Sequence, residues 1–144
     1  MTRLPDIARN LALAVGLAAP LAAAGCATSD TTPGMTVVTV EAGYRERILL
    51  PPGHILTVRI EDVSLADAPA TVMAEVVQPL EGRGPPYRVS LSVPTARIDP
   101  RHTYAARASI HDAEGKLVFA TTDRHAVLTP DAPGEARITL QGVR

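Results

Sequence analysis

Aromatic side chains are scarce in this chain, which has three tyrosines, one phenylalanine and no tryptophan among 144 residues. Platforms that stack single-stranded nucleic acid or sugars depend on such side chains, so the composition argues against both. An excess of charge of one sign is also missing, because the formal net charge is only −1. A nucleic-acid partner requires a basic patch or stripe. We therefore expect no nucleic-acid partner. The length of the chain suits one domain.

Catalytic motifs are missing as well. The sequence has no Gly-x-Ser-x-Gly elbow, no Walker loop and no dinucleotide fingerprint. Its acidic residues are scattered singly, so the sequence does not indicate the pair of carboxylates that glycoside hydrolysis needs. We predict a protein that is not an enzyme and that has no cofactor.

The first 25 residues have the pattern of a secretory signal. Arg3 and Arg9 make the start basic, and residues 11–25 are then apolar or small apart from Pro20. A basic segment followed by about 7–15 apolar residues and small residues is typical of a signal peptide. The apolar run is shorter than the roughly 20 residues of a membrane-spanning helix. We predict that residues 1–25 are a cleaved lipoprotein signal peptide.

The lone cysteine lies where the apolar run ends. Residues 23–26, Ala-Ala-Gly-Cys, resemble the lipobox of bacterial lipoproteins, in which the signal is cut before the cysteine and its thiol receives a diacylglycerol. We therefore predict that Cys26 is lipidated; the alternative is an ordinary signal-peptidase site and a free thiol. By resemblance to enterobacterial lipoproteins, Ala27 in place of Asp favours the outer membrane, facing the periplasm. Residues 26–34 are then the lipidated cysteine and a polar tether.

From residue 35 onward, apolar and polar residues alternate in segments bounded by proline and glycine. A period of two predicts half-buried antiparallel strands. The spacing predicts one all-β domain over residues 35–144, an antiparallel β-sandwich of immunoglobulin or transthyretin type with about seven or eight strands. A helix is the alternative only in the alanine-rich stretch 65–75. The predicted strands are 36–41, 44–50, 56–61, 71–77, 87–93, 104–110, 117–121 and 137–142.

One hairpin is specified closely enough to predict its register. Residues 112–115, Asp-Ala-Glu-Gly, match the preferences of a type I turn. A four-residue loop there pairs Ile110 with Leu117 and Ala108 with Phe119 on the apolar face. A bulged three-residue loop moves Phe119 to the other face. Because burial of this side chain is worth about 1.5–3 kcal/mol, we expect the four-residue register.

Tyr104 follows Asp99 by five residues at the start of a predicted strand. This spacing is compatible with a tyrosine corner, in which the tyrosine hydroxyl bonds to backbone a few residues upstream. The alternative is an ordinary tyrosine at a strand edge.

The histidines do not form a metal-ligand motif. In the four-residue register His102 lies opposite His125, close enough for the two imidazoles to begin a metal site. No third ligand is evident, so we expect surface histidines and no metal. The four histidines are His54, His102, His111 and His125.

Several segments together resemble the YbaY/YscW family of bacterial envelope lipoproteins. The segments that carry the resemblance are 44–52, 58–64, 67–69, 98–104, 107–108, 115–117 and 127–129. Their order and spacing extend over most of the chain after residue 40. The resemblance implies a β-sandwich lipoprotein without known catalytic residues. It also implies that the chain can be a pilotin, a chaperone that helps an outer-membrane secretin reach its membrane and assemble.

Three functions are therefore open. The one favoured by the residues is a non-enzymatic binding or scaffold lipoprotein, joined to the membrane through Cys26 and docking an envelope protein. The alternatives are a pilotin for a secretin and an envelope enzyme or binding protein for polysaccharide. The expected docking surfaces are an exposed edge strand, which can accept a partner's strand, and the loop 81–86, which carries Arg83 and has no obvious role in the core.

Overall fold

Eight strands and one turn of 3₁₀ helix make up the part of the chain described by the computed structural model, residues 34–131 and 134–144. The predicted signal peptide, Cys26 and most of the tether lie outside these residues. The helical turn is Thr95–Arg97. The strands are β1 (Met35–Tyr44), β2 (Ile55–Asp62), β3 (Thr71–Pro79), β4 (Tyr87–Pro94), β5 (Tyr104–His111), β6 (Leu117–Ala120), β7 (His125–Val127) and β8 (Glu135–Gly142).

The core consists of the side chains at alternate positions of these strands. In β4, every second residue from Tyr87 to Val93 is buried and the residues between them are exposed. The same alternation places Leu56, Val58 and Ile60 of β2 inside. A strand turns successive side chains to opposite faces, so a period of two in the sequence becomes one buried face. The all-β class predicted from the sequence is confirmed.

The strands form one continuous path rather than two clearly separate sheets. Their order is β3-β2-β5-β6-β8-β1-β4, with β7 also paired to β5. The two end strands, β3 and β4, approach each other without backbone pairing among the described residues, so the sheet is nearly closed like a barrel. The division into the two packed sheets of a sandwich stays a prediction.

One strand pair corrects the expectation of a wholly antiparallel fold. β8 runs parallel to β1, with partners from Thr39 and Glu135 to Tyr44 and Leu140. Alternation of apolar residues indicates burial but carries no information about strand direction. The two strands are the first and last of the domain, and the long chain between them allows the parallel pairing.

The register predicted for the β5–β6 hairpin is wrong. The backbone N–H of Gly115 donates to the Asp112 carbonyl, 3.0 Å away, which confirms the turn, and φ of Gly115 is +82°. His111 pairs with Leu117, and the next partner of Ile110 is Phe119, which leaves Val118 as an extra residue. Relative to the predicted register, β6 is shifted by one residue where Leu117 faces His111 and by a second residue after Val118. Each one-residue shift changes the face to which the side chains of β6 point, so the two shifts together return Phe119 to the buried face.

Phe119 is nevertheless buried, as predicted. Only 5% of it is exposed, and its ring is stacked on Tyr44 with centroids 4.7 Å apart. The predicted burial of Phe119 is therefore confirmed. Burial of Phe119 does not specify the register, because the extra residue Val118 allows the same side chain to be buried in a different register.

One other predicted strand is wrong, and one short strand was missed. Residues 44–50 are not a strand, since β1 continues through Gly43 and ends at Tyr44. The helix that was the alternative over residues 65–75 is absent, because these residues form a turn and the start of β3, which agrees with the strand predicted over residues 71–77. The short strand β7 was not predicted, because three residues are too few to show a period. Within the described residues, no helix is long and apolar enough to cross a membrane.

The tyrosine corner is present. The backbone N–H of Asp99 donates a hydrogen bond to the Tyr104 hydroxyl oxygen at 2.8 Å, and that hydroxyl is 3.5 Å from the Asp99 carbonyl. Tyr104 itself is only 1% exposed. This contact joins the crossover after β4 to the beginning of β5 and favours the tyrosine corner over an ordinary edge tyrosine.

Candidate docking surface

The domain has two ends, which carry different loops. At the tether end, Gly34 leads into β1, and its carbonyl accepts a hydrogen bond from the N–H of Thr95 at 2.9 Å. At the far end, the loop 45–54 follows β1 and the loop 80–86 precedes β4. These two loops leave the sheet side by side because Ala42 of β1 pairs with Tyr87 of β4.

The loop 45–54 is fixed at both sides of an exposed segment. Tyr44 and Leu50 are buried, whereas residues 45–49 between them are exposed. The Tyr44 hydroxyl donates a hydrogen bond to the carbonyl of Ile48, 3.1 Å away. Two large apolar side chains, Ile48 and Leu49, therefore stay in solvent on a segment that has a defined path.

The loop 80–86 is held in a matching way. The Tyr87 hydroxyl donates to the carbonyl of Arg83 at 2.9 Å, and Leu80 is completely buried. Burial is the main cause that raises the pKa of the Tyr87 phenol above its usual range. The left-handed residues Glu81 (φ 49°) and Gly82 (φ 74°) turn the chain outward. Arg83, which the sequence analysis singled out, is exposed here.

The edge strands predicted as docking sites are β3 and β4, the two ends of the strand path. The regular part of β3 is limited by a bulge at Met73, where Ile60 pairs with Ala74 and Glu61 with Val72. Proline ends both strands, at Pro79 and Pro94. Bulges and terminal prolines are common devices that discourage unwanted strand pairing. Docking through an edge strand stays a prediction.

The tether end contains the cluster closest in composition to a catalytic site. Nδ1 of His102 lies 2.7 Å from Oδ2 of Asp62, and the Ser64 hydroxyl donates to Oδ1 of the same carboxylate. The hydrogen bond from Ser64 is the largest cause that lowers the pKa of Asp62, and the contact with His102 lowers it further against the opposing effect of desolvation. In a nucleophilic triad the histidine lies between the acid and the serine. Here the carboxylate lies between them, so His102 does not activate Ser64.

This cluster has a structural explanation. The Ser64 hydroxyl also accepts a hydrogen bond from the N–H of Thr103 at 2.9 Å, and the N–H of Val63 donates to the Thr103 carbonyl at 2.8 Å. The network therefore ties the loop after β2 to the start of β5. The sequence signal for this network is the Asp-x-Ser spacing of residues 62 and 64, which favours a side-chain turn.

The predicted opposition of His102 and His125 is wrong. β7 pairs with β5 so that His125 lies beside Ala106, while His102 contacts Asp62. The difference follows from the shifted hairpin and from the four residues between β6 and β7. Among the described residues, no three His, Cys, Asp or Glu side chains are grouped as a metal site requires.

A cavity of 410 Å³ lies beside β5 and is lined in part by Ala105. Its titratable lining residues are Arg107, Asp123 and Arg124. An enzyme acting on polysaccharide would be favoured by a deep acidic cleft with two carboxylates. This cavity, with two arginines and one aspartate, has a different composition.

Comparison with known proteins identifies the family to which this chain belongs. The chain belongs to the YscW family, described as type III secretion system lipoprotein chaperones, whose pattern matches residues 33–140. The lipoprotein YbaY of Escherichia coli (strain K12) is 34% identical over 155 residues, covering 99% of this chain and 80% of YbaY. An alternative pilotin from the type II secretion system of Vibrio cholerae has a solved structure that matches with a TM-score of 0.73 and 38% identity, covering 77% of this chain and 99% of the pilotin. The resemblance stated from the sequence is confirmed.

Proposed function

We propose that this chain is a pilotin: a lipid-anchored chaperone that binds a secretin subunit and delivers it to the outer membrane. The observation that carries the proposal is the match to the Vibrio cholerae pilotin, whose solved domain is covered almost completely at 38% identity. The match favours the pilotin alternative over the broader scaffold function that the residues alone favoured.

The cellular location of the chain is part of the proposal. Lipidation of Cys26, cleavage after residue 25 and retention at the outer membrane place the domain on the periplasmic side, where secretin subunits pass. Acyl chains on one cysteine anchor a protein stably when more than one is attached. Tethering also raises the effective concentration of the domain toward partners near the membrane. The family's description as lipoprotein chaperones supports this location.

Binding without turnover is the mode of action that we propose. The Asp62, Ser64 and His102 cluster is explained by loop packing, and the order of its contacts does not activate a nucleophile. The family and relative that match are described as chaperone and pilotin, which supports a role without catalysis.

Deletion of the gene in its own organism tests the proposal. We expect secretin monomers to accumulate and detergent-resistant secretin multimers to decrease in the outer-membrane fraction, with recovery when the gene is restored. Secretin multimers that are unchanged in amount and location would contradict the pilotin function. A genome that encodes no secretin would contradict it as well.

A further inference from the structure

Two large, exposed apolar side chains of the far end are neighbours in the chain. Ile48 is 53% and Leu49 is 65% exposed, although the residues that flank the loop, Tyr44 and Leu50, are buried. Singly scattered exposed apolar residues are ordinary, whereas contiguous exposed apolar surface is a feature of interaction sites. The hydrogen bond from Tyr44 to the Ile48 carbonyl limits the ability of the segment to fold inward.

The loop 80–86 completes this surface. A Cβ atom added to Gly84 would lie 3.5 Å from Cδ1 of Leu49, and one added to Gly82 would lie 3.7 Å from the Pro52 ring. The two loops are therefore in direct contact and present one surface, the far-end patch. Glycine at position 84 leaves Leu49 uncovered. The patch consists of Arg45, Arg47, Ile48, Leu49, Arg83 and Gly84.

The patch has a cationic border. Arg45 and Arg47 precede the apolar pair, and within the described residues neither makes an ion pair. Arg83 has only a distant one, 4.0 Å from the exposed carboxylate of Glu81. The intervening Glu46 extends toward β8, since its Oε1 is 3.5 Å from the position of a Cβ at residue 142. The border therefore favours carboxylates on a partner.

Arginines beside apolar side chains also suit an anionic membrane, so the position of the patch must decide between the two. The chain enters the domain at Gly34, and β1 then runs ten residues to Tyr44. At about 3.3 Å per residue this strand separates the two ends by roughly 30 Å. The chain that leads to the proposed anchor joins the domain at the end opposite the patch, which favours a protein partner over the anchoring membrane.

We propose that the far-end patch is the surface through which this chain holds its protein partner. The occupant is an amphipathic segment of that partner, with apolar side chains on Ile48 and Leu49 and carboxylates against Arg45, Arg47 and Arg83. This inference rests on the proposed function, because it assigns the surface that the pilotin uses. The apolar pair supplies the contact and the arginines supply specificity and rate of association.

Complementation of the deletion strain with the full-length, lipidated chain tests the patch. The variants are the double substitution Ile48→Asp/Leu49→Asp and the charge reversal Arg45→Glu/Arg47→Glu. The matched controls are Leu65→Asp, which alters a leucine that is 73% exposed at the tether end, and Arg124→Glu, which reverses an exposed arginine outside the patch. The readout is the amount of secretin that co-purifies with a tagged chain, normalised to the amount of chain.

We expect the apolar double variant to lower co-purified secretin by about tenfold or more, as substitution at the centre of an interface does. The charge reversal should lower it most at low salt, where screening is weakest. Both controls should match the parent chain. If deletion of the gene reduces secretin multimers but the patch variants still bind secretin fully, the assignment of the patch is overturned and the pilotin function is not. A deletion without effect on the secretin would overturn the pilotin function itself.

A membrane role for the patch is tested separately. The full chain carrying Cys26→Ser is mixed with vesicles of phosphatidylcholine containing phosphatidylglycerol, and sedimentation measures binding. We expect no difference between this chain and the same chain carrying the apolar double substitution. Vesicle binding that depends on Ile48 and Leu49 would overturn the assignment of a protein partner.

Discussion

The hydroxyl of Tyr44 donates a hydrogen bond to the carbonyl oxygen of Ile48, at a distance of 3.1 Å. The same ring is stacked against Phe119, so one side chain joins the core to an exposed loop. Tyr87 repeats the arrangement on the neighbouring loop, with its hydroxyl donating to the Arg83 carbonyl. The two tyrosines therefore hold the far-end patch in place from below.

Removal of the Tyr44 hydroxyl should loosen this loop without disturbing the core. We expect Tyr44→Phe to lower the free energy of unfolding by about 0.5–1.5 kcal/mol, the usual effect of losing one hydrogen bond. Urea unfolding measures it, and hydrogen exchange of residues 45–49 should increase. Tyr87→Phe is the matched variant and should affect residues 80–86 instead. Unchanged exchange in both loops would contradict the role assigned to the hydroxyls.

The tyrosine corner should contribute more than an ordinary surface contact. In Tyr104→Phe the backbone N–H of Asp99 loses its acceptor, which lies 2.8 Å away in the parent. A partly buried donor without a partner costs about 1–3 kcal/mol. We expect that loss in urea unfolding, with the slope against urea unchanged. A midpoint identical to that of the parent would show that the corner is not stabilising.

The contacts of Asp62 make stability depend on acid pH. Its folded-state pKa is lowered, first by the hydrogen bond from Ser64, so the contribution is present above the unfolded pKa of about 3.9 and is lost as pH falls below it. Between pH 6 and pH 3, Asp62→Asn should therefore lose less stability than the parent chain. Asp67→Asn, in the same loop, is the control. Equal pH dependence in the parent and Asp62→Asn would contradict this account.

The observed hairpin register can be checked through Phe119. Truncation to alanine in a buried position of this kind costs about 3–5 kcal/mol, so Phe119→Ala should be strongly destabilising. Val118→Ala, at the bulge beside it, should cost clearly less because Val118 is only half-buried. Nuclear Overhauser contacts between the backbones of Ile110 and Phe119 test the pairing directly. Contacts between Ala108 and Phe119 in their place would restore the four-residue register.

The sequence was most informative where alternation is uninterrupted. In β4, apolar residues at every second position specify the buried face completely, and the structure agrees. Strand direction and register depend on hydrogen bonds that alternation does not encode. The parallel pairing of β1 with β8 and the extra residue Val118 therefore required the three-dimensional structure.

The candidate site was only partly predictable for a related reason. Arg83 and its loop could be selected because glycine and proline mark an exposed connection. Ile48 and Leu49 were assigned to a strand, since their composition fits one. Their exposure follows from the end of β1 at Tyr44 and from the contact with Gly84, both of which are tertiary features.

In the proposed function, a lipid on Cys26 carries a bound secretin to the outer membrane. The most direct measurement is the distribution of the secretin between membrane fractions in cells that express either the parent chain or Cys26→Ser, with intact mass spectrometry to establish the acyl chains on the parent. We expect secretin multimers in the outer membrane only with the parent, and secretin that still co-purifies with Cys26→Ser but is absent from that membrane. Equal amounts of outer-membrane multimers in both strains, or a parent mass equal to the unmodified chain from Cys26, would contradict the claim.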